Sequence, residues 1–338
     1  MSGIPPTFDQ RDESADRALR PRCLDEFTGQ TAVSRNLGVA IEAARQRRDQ
    51  LDHVLLSGPP GLGKTTLAHI MAREMDAEII ETAGPMLDKP GDLAGILSNL
   101  VAGSILFVDE VHSLKRIVEE YLYAAMEDFR ITVQLGEGAT TSALTLNLAP
   151  FTLVAATTRE GLLSPPFRSR FGIRERLELY GSDELVRILS RSATLLGVEA
   201  DHAGLETIAL RSRGTPRYAN NHLRRIRDLA QVRYDNRIDA PVAEEGLEML
   251  GIDAAGLTAI DRRILRCLAE AARPVGLKTI AVSVGEEEAT IEDVYEPYLI
   301  QSAMLAKTPA GRLLLPRGYV HLGLAPPSET DGQQERLF

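Results

Sequence analysis

The sequence has no tryptophan, only two cysteines, and no apolar run near the ~20 residues that a membrane span requires. Cys23 and Cys267 lie far apart in apolar contexts, so neither a disulfide framework nor a thiolate metal site is expected, and six scattered histidines add no ligand cluster. The first stretch, MSGIPPTFDQRDESADRALRP, is polar and acidic. It lacks the features of a secretory signal or a basic amphipathic presequence, and the expected location is the cytoplasm. A formal net charge of −10 excludes a general nucleic-acid coat and leaves room only for a local basic patch. The chain is 44% hydrophobic and 25% charged over 338 residues, the composition of a globular protein with two or three domains.

Against this plain background one stretch stands out, DHVLLSGPPGLGKTTL at 52–67. An apolar run, Val54 to Leu56, leads into Gly58, four further residues, then Gly63, Lys64 and Thr65. This is a P-loop: a buried strand, a glycine-rich turn whose N–H groups face phosphate oxygens, and a helix start that adds its positive dipole end. Lys64 reaches the β- and γ-phosphates, and the Thr65 hydroxyl ligates Mg²⁺. A nucleoside triphosphate with Mg²⁺ is the expected ligand pair.

The rest of the chain changes texture around residue 182. Before it, helical spacing at 33–48 and 117–129 alternates with apolar runs at 79–80, 104–110, 151–155 and 173–179. That alternation predicts a parallel α/β sheet. Residues 130–148 read as a β-hairpin with GEGATTS between its arms. Its arms carry more apolar side chains than a free hairpin buries, which suits either docking of another protein or packing on its own domain. After 182 only helices are expected, at 183–196, 203–213, 216–235 and 241–250, then a hinge at Asp253-Ala254-Ala255-Gly256. Helices at 259–272, 277–284 and 289–300 with short β-like runs at 303–307 and 312–315 predict a winged helix-turn-helix. Residues 1–17 and the tail after Leu324 are polar and Pro-rich and are expected to be disordered.

Three further clusters carry chemistry. Asp109-Glu110 ends an apolar strand; in a P-loop sheet Asp109 would hold Mg²⁺ and Glu110 would polarise the attacking water, though solvated acids at a strand end look the same. Thr158 ends a neighbouring strand, where a hydroxyl can position that water. In SPPFRSRFG, Arg168 and Arg170 follow a Pro-rich turn, placed either for surface ion pairs or for a finger into a neighbour's site. Arg217, in Gly214-Thr215-Pro216-Arg217, opens a helix from which it could reach back to the phosphates or remain solvated. Helix 289–300 carries Glu292, Asp293 and Glu296, whereas 301–323 has no acid and carries Lys307, Arg312, Arg317 and His321. Any duplex contact is therefore expected from the ribbon, to the backbone and without sequence specificity.

Together these features resemble the AAA+ ATPases and, within them, the RuvB family, motor subunits of the bacterial Holliday-junction branch-migration complex. The resemblance runs over about 18–324. It is carried by LRPRCLDEFTGQ (19–30), GPMLDKPGDLAGILSNL (84–100), ILFVDEVHSL (105–114), VEEYLYAAMEDF (118–129), PFTLVAATTR (150–159), PPFRSRFGI (165–173), RGTPRYAN (213–220) and TIEDVYEPYLIQ (290–301), beside the P-loop. It implies an α/β P-loop AAA+ ATPase domain at 18–181, an all-α lid at 182–254 and a C-terminal winged helix at 255–324. Lys64, Asp109, Glu110, Thr158 and Arg170 would be catalytic, Arg170 in trans. Leu19, Arg20, Gly61, Gly63, Lys64, Thr65, Thr66, Glu127, Asp128, Phe129, Tyr180 and Arg217 would contact the nucleotide, with Thr65 and Asp109 at the metal. Lys307, Arg312 and Arg317 would contact DNA. Hexameric rings, docking of RuvA on the 130–148 hairpin and a complex with RuvC are implied as partners.

Two departures stand out: Ser113 replaces an Arg usual after the acidic-motif His, and the wing reads KTPAGR at 307–312 where the family usually reads RTPRGR. Lys does not reproduce a bidentate Arg contact with phosphate. Two other functions compete: a clamp-loader-like AAA+ switch, and a winged-helix regulator whose nucleotide site only controls binding. The acidic helix 289–300 speaks against the second.

Overall fold

A computed structural model of the chain describes residues 18–135 and 142–326. The termini expected to be disordered and the hairpin tip lie outside the described residues. The chain forms two compact units. One comprises residues up to Val198 together with Gly214–Leu223; the other comprises Glu199–Arg213 together with the chain from Arg224 on. The division runs through the stretch expected as a separate lid.

The first unit opens with α1 (Thr31–Arg47), then β1 (Val54–Ser57), α2 (Lys64–Glu74), β2 (Ile79–Ala83), α3 (Pro90–Leu97), β3 (Ile105–Asp109) and α4 (Arg116–Asp128). The hairpin β4 (Arg130–Leu135) and β5 (Ser142–Asn147) follows, then β6 (Thr152–Thr157), α5 (Pro165–Arg168), β7 (Ile173–Arg176) and α6 (Ser182–Leu196). The sheet has the order β2-β3-β6-β1-β7 and is parallel throughout, with Val54 level with Val154 and with Ile173. β1 and β6 are buried along their whole length, as suits central strands covered on both faces. The parallel α/β expectation is met.

Parallel strands impose a direction. Each helix returns the chain from the C-terminal edge of the sheet to the N-terminal edge, so the two edges collect different residues. Helix α4 shows this. Val118, Leu122, Ala125 and Met126 are spaced to form one buried stripe. The helix ends at Phe129 in the left-handed region (φ 48). The Met126 carbonyl there lies 3.1 Å from His53 Nε2, at the foot of β1. Leu153 N–H donates to His53 Nδ1 at 2.9 Å, so the ring proton sits on Nε2 and donates to Met126.

Hairpin β4–β5 packs at its base on its own domain. Ile131, Leu146 and Leu148 at its base join the hydrophobic core, whereas Leu144, further out, is 44% exposed.

In the second unit β8 (Glu199–Ala200) pairs in parallel with β9 (Arg237–Ile238), two short strands in a stretch expected to be only helical. They bracket α7 (His202–Leu210) and α8 (Pro216–Arg233), whose residues 216–223 belong to the first unit; α9 (Ala240–Met249) follows. Helix α7 stops at Leu210, short of the expected 213, because Arg213 takes a left-handed backbone (φ 53) and turns its side chain inward. That guanidinium donates to the Gly256 carbonyl at 2.8 Å and to the Asp261 carboxylate at 2.5 Å, and lies 4.8 Å from the Tyr298 ring centroid. The winged helix is built from α10 (Ala259–Ala271), α11 (Leu277–Val284) and a helical run of α12 (Glu288–Thr290), a π-helical turn (Ile291–Tyr295) and α13 (Glu296–Gln301). The ribbon β10 (Leu305–Thr308) and β11 (Gly311–Leu314) and the short α14 (Pro316–His321) complete it. The expected hinge at 253–256 is not loose. The Asp253 carboxylate accepts from the Ala255 and Leu257 amides and pairs with Arg262 and His321, so this turn is fastened within the unit.

His53 gives the first unit a pH dependence. Burial holds its pKa below the usual 6.5. As pH falls through about 6.5 the unfolded chain takes up this proton first. Stability is therefore present above that pH and is lost below it, until the folded imidazole also protonates. In His53→Gln the amide can accept from Leu153 and donate to Met126 without titrating. Denaturant midpoints at pH 7.5 and 5.5 are expected to fall less in His53→Gln than in the parent protein.

Candidate active site

The C-terminal ends of β1, β6 and β3 lie side by side, and each delivers one chemical group. After β1 the loop turns through glycines into α2. Gly61 has φ 80, and a Cβ there would stand 2.7 Å from Thr215 Cγ2 and 2.9 Å from Arg217 Cβ. Only glycine lets the loop pass beneath this second segment. Lys64 Nζ donates to the Gly58 and Pro59 carbonyls at 2.7 and 2.9 Å, which holds the ammonium across the loop. Burial lowers the Lys64 pKa, and the nearby Glu110 and Asp109 carboxylates oppose that shift.

The walls of this cleft come from distant parts of the first unit. Leu19, Arg20, Gly61, Gly63, Lys64, Thr65, Thr66, Asp109, Glu110, Tyr180 and Arg217 all line it. Tyr180 donates its hydroxyl to the Leu62 carbonyl at 3.1 Å, and its amide donates to the Gly214 carbonyl at 2.9 Å. The Arg217 amide lies 3.4 Å from the Gly61 carbonyl, so the loop is clamped from the side that carries Arg217. Arg191 was missed from sequence. From α6 it donates to the Leu19 carbonyl at 2.7 Å and pairs with Glu26 at 2.9 Å, fixing the N-terminal wall. An arginine inside an amphipathic helix gives no signal of this long-range contact.

At the end of β3, Asp109 has its pKa raised, chiefly by burial. Asp109 Oδ1 accepts the Glu110 amide at 2.9 Å. Glu110 has φ 46, a left-handed backbone that is uncommon for a non-glycine residue and turns its side chain towards β6. Its Oε2 accepts from the Thr158 hydroxyl at 3.1 Å and lies 3.1 Å from His112 Nδ1. The same Nδ1 hydrogen-bonds to the Thr157 hydroxyl at 3.0 Å. His112 was also missed, although it stands in the same DEVH run. Gly84 packs from below: a Cβ on it would lie 2.5 Å from the Glu110 carbonyl oxygen and against Ser113 Oγ. The Thr65 hydroxyl and the Asp109 carboxylate are both oxygen donors on this one cleft, a set that fits Mg²⁺.

Three of the expected nucleotide contacts lie elsewhere, as does Arg170, which was expected to act in trans. Arg170, Glu127, Asp128 and Phe129 do not line the cleft. Phe129 packs edge-on to Phe151 with centroids 5.9 Å apart, and Asp128 pairs with Arg130 at 3.0 Å. Glu127 lies 3.1 Å from Arg170 Nε. The reason is strand direction. Arg170 precedes β7 and residues 127–129 end α4, so both belong to the N-terminal edge, roughly 15 Å of strand from the phosphate loop.

In the second unit the ribbon differs from expectation. Lys307 Nζ lies 2.6 Å from Glu292 and 3.2 Å from Glu296; Arg312 Nε lies 2.5 Å from Glu296. The acidic helix and the basic ribbon are therefore one paired surface rather than two separate faces. Antiparallel pairing puts Lys307 opposite Arg312, and both meet the helix acids. The hydrogen bond to Glu296 raises the Arg312 pKa; for Lys307 the bonds to Glu292 and Glu296 outweigh the opposing effect of burial. Arg317, on α14, is exposed.

The model of the Holliday junction DNA helicase RuvB P-loop domain matches residues 19–177, that of the RuvB AAA lid domain 180–253, and that of the RuvB C-terminal winged helix domain 254–323. The chain belongs to the RuvB family. Among solved structures it is similar to the RuvB Holliday junction branch migration motor of Thermotoga maritima, with 48% identity, TM-score 0.83, and coverage of 92% of this chain and 100% of that one. It is likewise similar to the K64R mutant of that RuvB, with 48% identity, TM-score 0.84, and coverage of 91% and 99%. As a RuvB-family chain it is a P-loop AAA+ ATPase with a helical lid and a winged helix.

Gly84 makes a specific prediction. In Gly84→Ala the added methyl meets the Glu110 backbone and Ser113 Oγ but no residue of the phosphate loop. ATP turnover is expected to fall roughly 10–100-fold, with nucleotide affinity within about twofold of the parent by titration calorimetry.

Proposed function

We propose that this chain hydrolyses ATP at sites shared between neighbouring copies in a ring and so drives branch migration of Holliday junctions along duplex DNA. The observation that carries the shared site is the position of Arg170. It lies on the edge of the sheet opposite the cleft of its own chain. A copy placed beside it could present its own cleft to that guanidinium.

The roles within the site follow from the groups present. Lys64 holds the β- and γ-phosphates. Thr65 and Asp109 hold Mg²⁺, which when bound neutralises charge on the phosphate oxygens. Glu110 accepts a proton from the attacking water, and the Thr158 hydroxyl, which donates to it, fixes the direction in which its carboxylate points. Arg217 reads the phosphates from the far side of the loop. Arg170 of the adjacent copy stabilises the charge on the transferred phosphoryl group. Leu19, Arg20 and Tyr180 enclose the base and sugar end. Glu127, beside Arg170, and the following Asp128 and Phe129 contact the neighbour's nucleotide rather than their own.

The ring is a hexamer around duplex DNA, working in the cytoplasm beside a RuvA-type partner docked on hairpin 130–148 and a RuvC-type resolvase. Duplex is held through its backbone by the winged helix, with Lys307, Arg312 and exposed Arg317. Because Lys307 and Arg312 start from internal ion pairs, their phosphate contacts exchange one anion for another. That favours weak, mobile contact over tight binding.

Arg170→Ala tests the shared site. Turnover is expected to drop about 10³-fold or more while nucleotide binding persists. Mixing Arg170→Ala with Lys64→Ala subunits is expected to restore part of it, because mixed interfaces pair an intact cleft with an intact finger. Full-rate hydrolysis by monomers would overturn the reading.

A further inference from the structure

Arg170 rests in a built seat, and nothing in the proposed hydrolysis accounts for that seat. Its Cζ lies 4.5 Å from the centroid of the Tyr123 ring. Its Nη1 donates to the Pro166 carbonyl at 2.7 Å, and Glu127 stands 3.1 Å from Nε as counter-charge. Nη2 makes no hydrogen bond among the described residues. The fork is thus supported from behind and along one side, with one nitrogen left for a phosphate.

Tyr123 is itself fastened. It sits on α4, one turn after Glu119, and its hydroxyl donates to the Glu119 carboxylate. Ser164 Oγ, 2.8 Å from the phenol oxygen, donates to the same Glu119 oxygen. Ser164 is the N-cap of α5, accepting from the Phe167 amide at 3.3 Å. The Arg170 amide in turn donates to the Phe167 carbonyl at 3.1 Å. Under the ring lie the buried Phe167, with centroids 5.6 Å apart, and beyond it Phe171 at 5.1 Å. Burial and the bond to Glu119 raise the pKa of the Tyr123 phenol above its usual value. Helix α4 is therefore tied to both ends of the short segment that presents the guanidinium.

We propose that Tyr123 is the positioning residue of the Arg170 finger: its ring supports the guanidinium and its hydroxyl, through Glu119 and Ser164, fixes the ring against the short segment that carries the finger. A long arginine side chain otherwise samples many rotamers, and a finger gains most when its fork is already aimed. The proposal rests on the reading that Arg170 acts on a neighbouring copy. It makes the defect of a Tyr123 variant appear in that neighbour, whereas general destabilisation would impair a subunit's own cleft.

The experiment uses mixed rings of the full chain. Tyr123→Leu alone is expected to turn over ATP about 3–30-fold more slowly, with nucleotide affinity unchanged. Mixed with Lys64→Ala subunits, whose fingers and seats are intact, it is expected to regain activity. Mixed with Arg170→Ala subunits it is expected to regain none, since neither copy then offers a well-aimed finger. Rescue by Arg170→Ala, no rescue by Lys64→Ala, or an unchanged rate would each overturn the proposal. The Arg170→Ala and Lys64→Ala mixture serves as control. If it gains nothing, the shared site and this proposal fall together; if it gains activity and Tyr123→Leu does not follow the pattern, only this proposal falls. Should Tyr123→Leu not fold, Tyr123→Phe keeps the ring and loses the anchor. It is expected to be slowed about twofold to threefold with the same pattern of rescue, and a parental rate in it overturns the proposal.

Discussion

The direction of the strands is the constraint on which the rest of the first unit depends. All five run the same way, so every connection must return across a face of the sheet. One edge then receives the groups that follow strands: the phosphate loop after β1, the acids after β3 and Thr158 after β6. The other edge receives what precedes strands or ends helices: His53, Phe129, Glu127 and Arg170. A parallel sheet therefore places the phosphate loop and Arg170 at opposite edges within one chain.

Within the cleft, positions are fixed by backbone atoms more than by pairs of side chains. Lys64 is held by two loop carbonyls and Tyr180 by the Leu62 carbonyl, while Glu110 is set by a left-handed backbone with Gly84 beneath it. Such anchors survive changes of charge in the site. They let Glu110 accept from the Thr158 hydroxyl without losing its place. The second unit uses charge differently. Arg213 and Asp261 are almost wholly buried and joined to each other, a pairing whose value lies in fixing one arrangement more than in net stability. The Glu296 carboxylate, 1% exposed, does the same for the two ribbon cations.

Much of this was legible from residue order. The apolar runs at 54–56 and 151–155, the helical spacing at 117–129 and the glycines of the phosphate loop each encode their element locally, and the structure has them within a few residues. The errors share a cause. The 253–256 turn looked loose because small residues and an acid read as a linker; its Asp253 side chain finds Arg262 and His321 across the fold. Helix 203–213 looked longer because nothing local announces that Arg213 turns inward. That the acids of helix 289–300 pair with the ribbon cations was not legible either, since sequence shows the sign of a charge but not its partner.

The sequence by itself determined the elements, the order of the strands along the chain and the identity of the groups able to bind phosphate. These depend on periodicity, glycine placement and side-chain type, all local properties. Only the tertiary structure decided which groups meet. It joined Leu19, Arg191 and Arg217 to the phosphate loop, gave Glu110 to His112, placed Glu127 beside Arg170 instead of in the cleft, and seated that arginine on Tyr123. The physical reason is that hydrogen bonds and ion pairs reach only a few ångströms. Which residues come within that reach is set by the sheet's direction and by packing between segments a hundred or more residues apart.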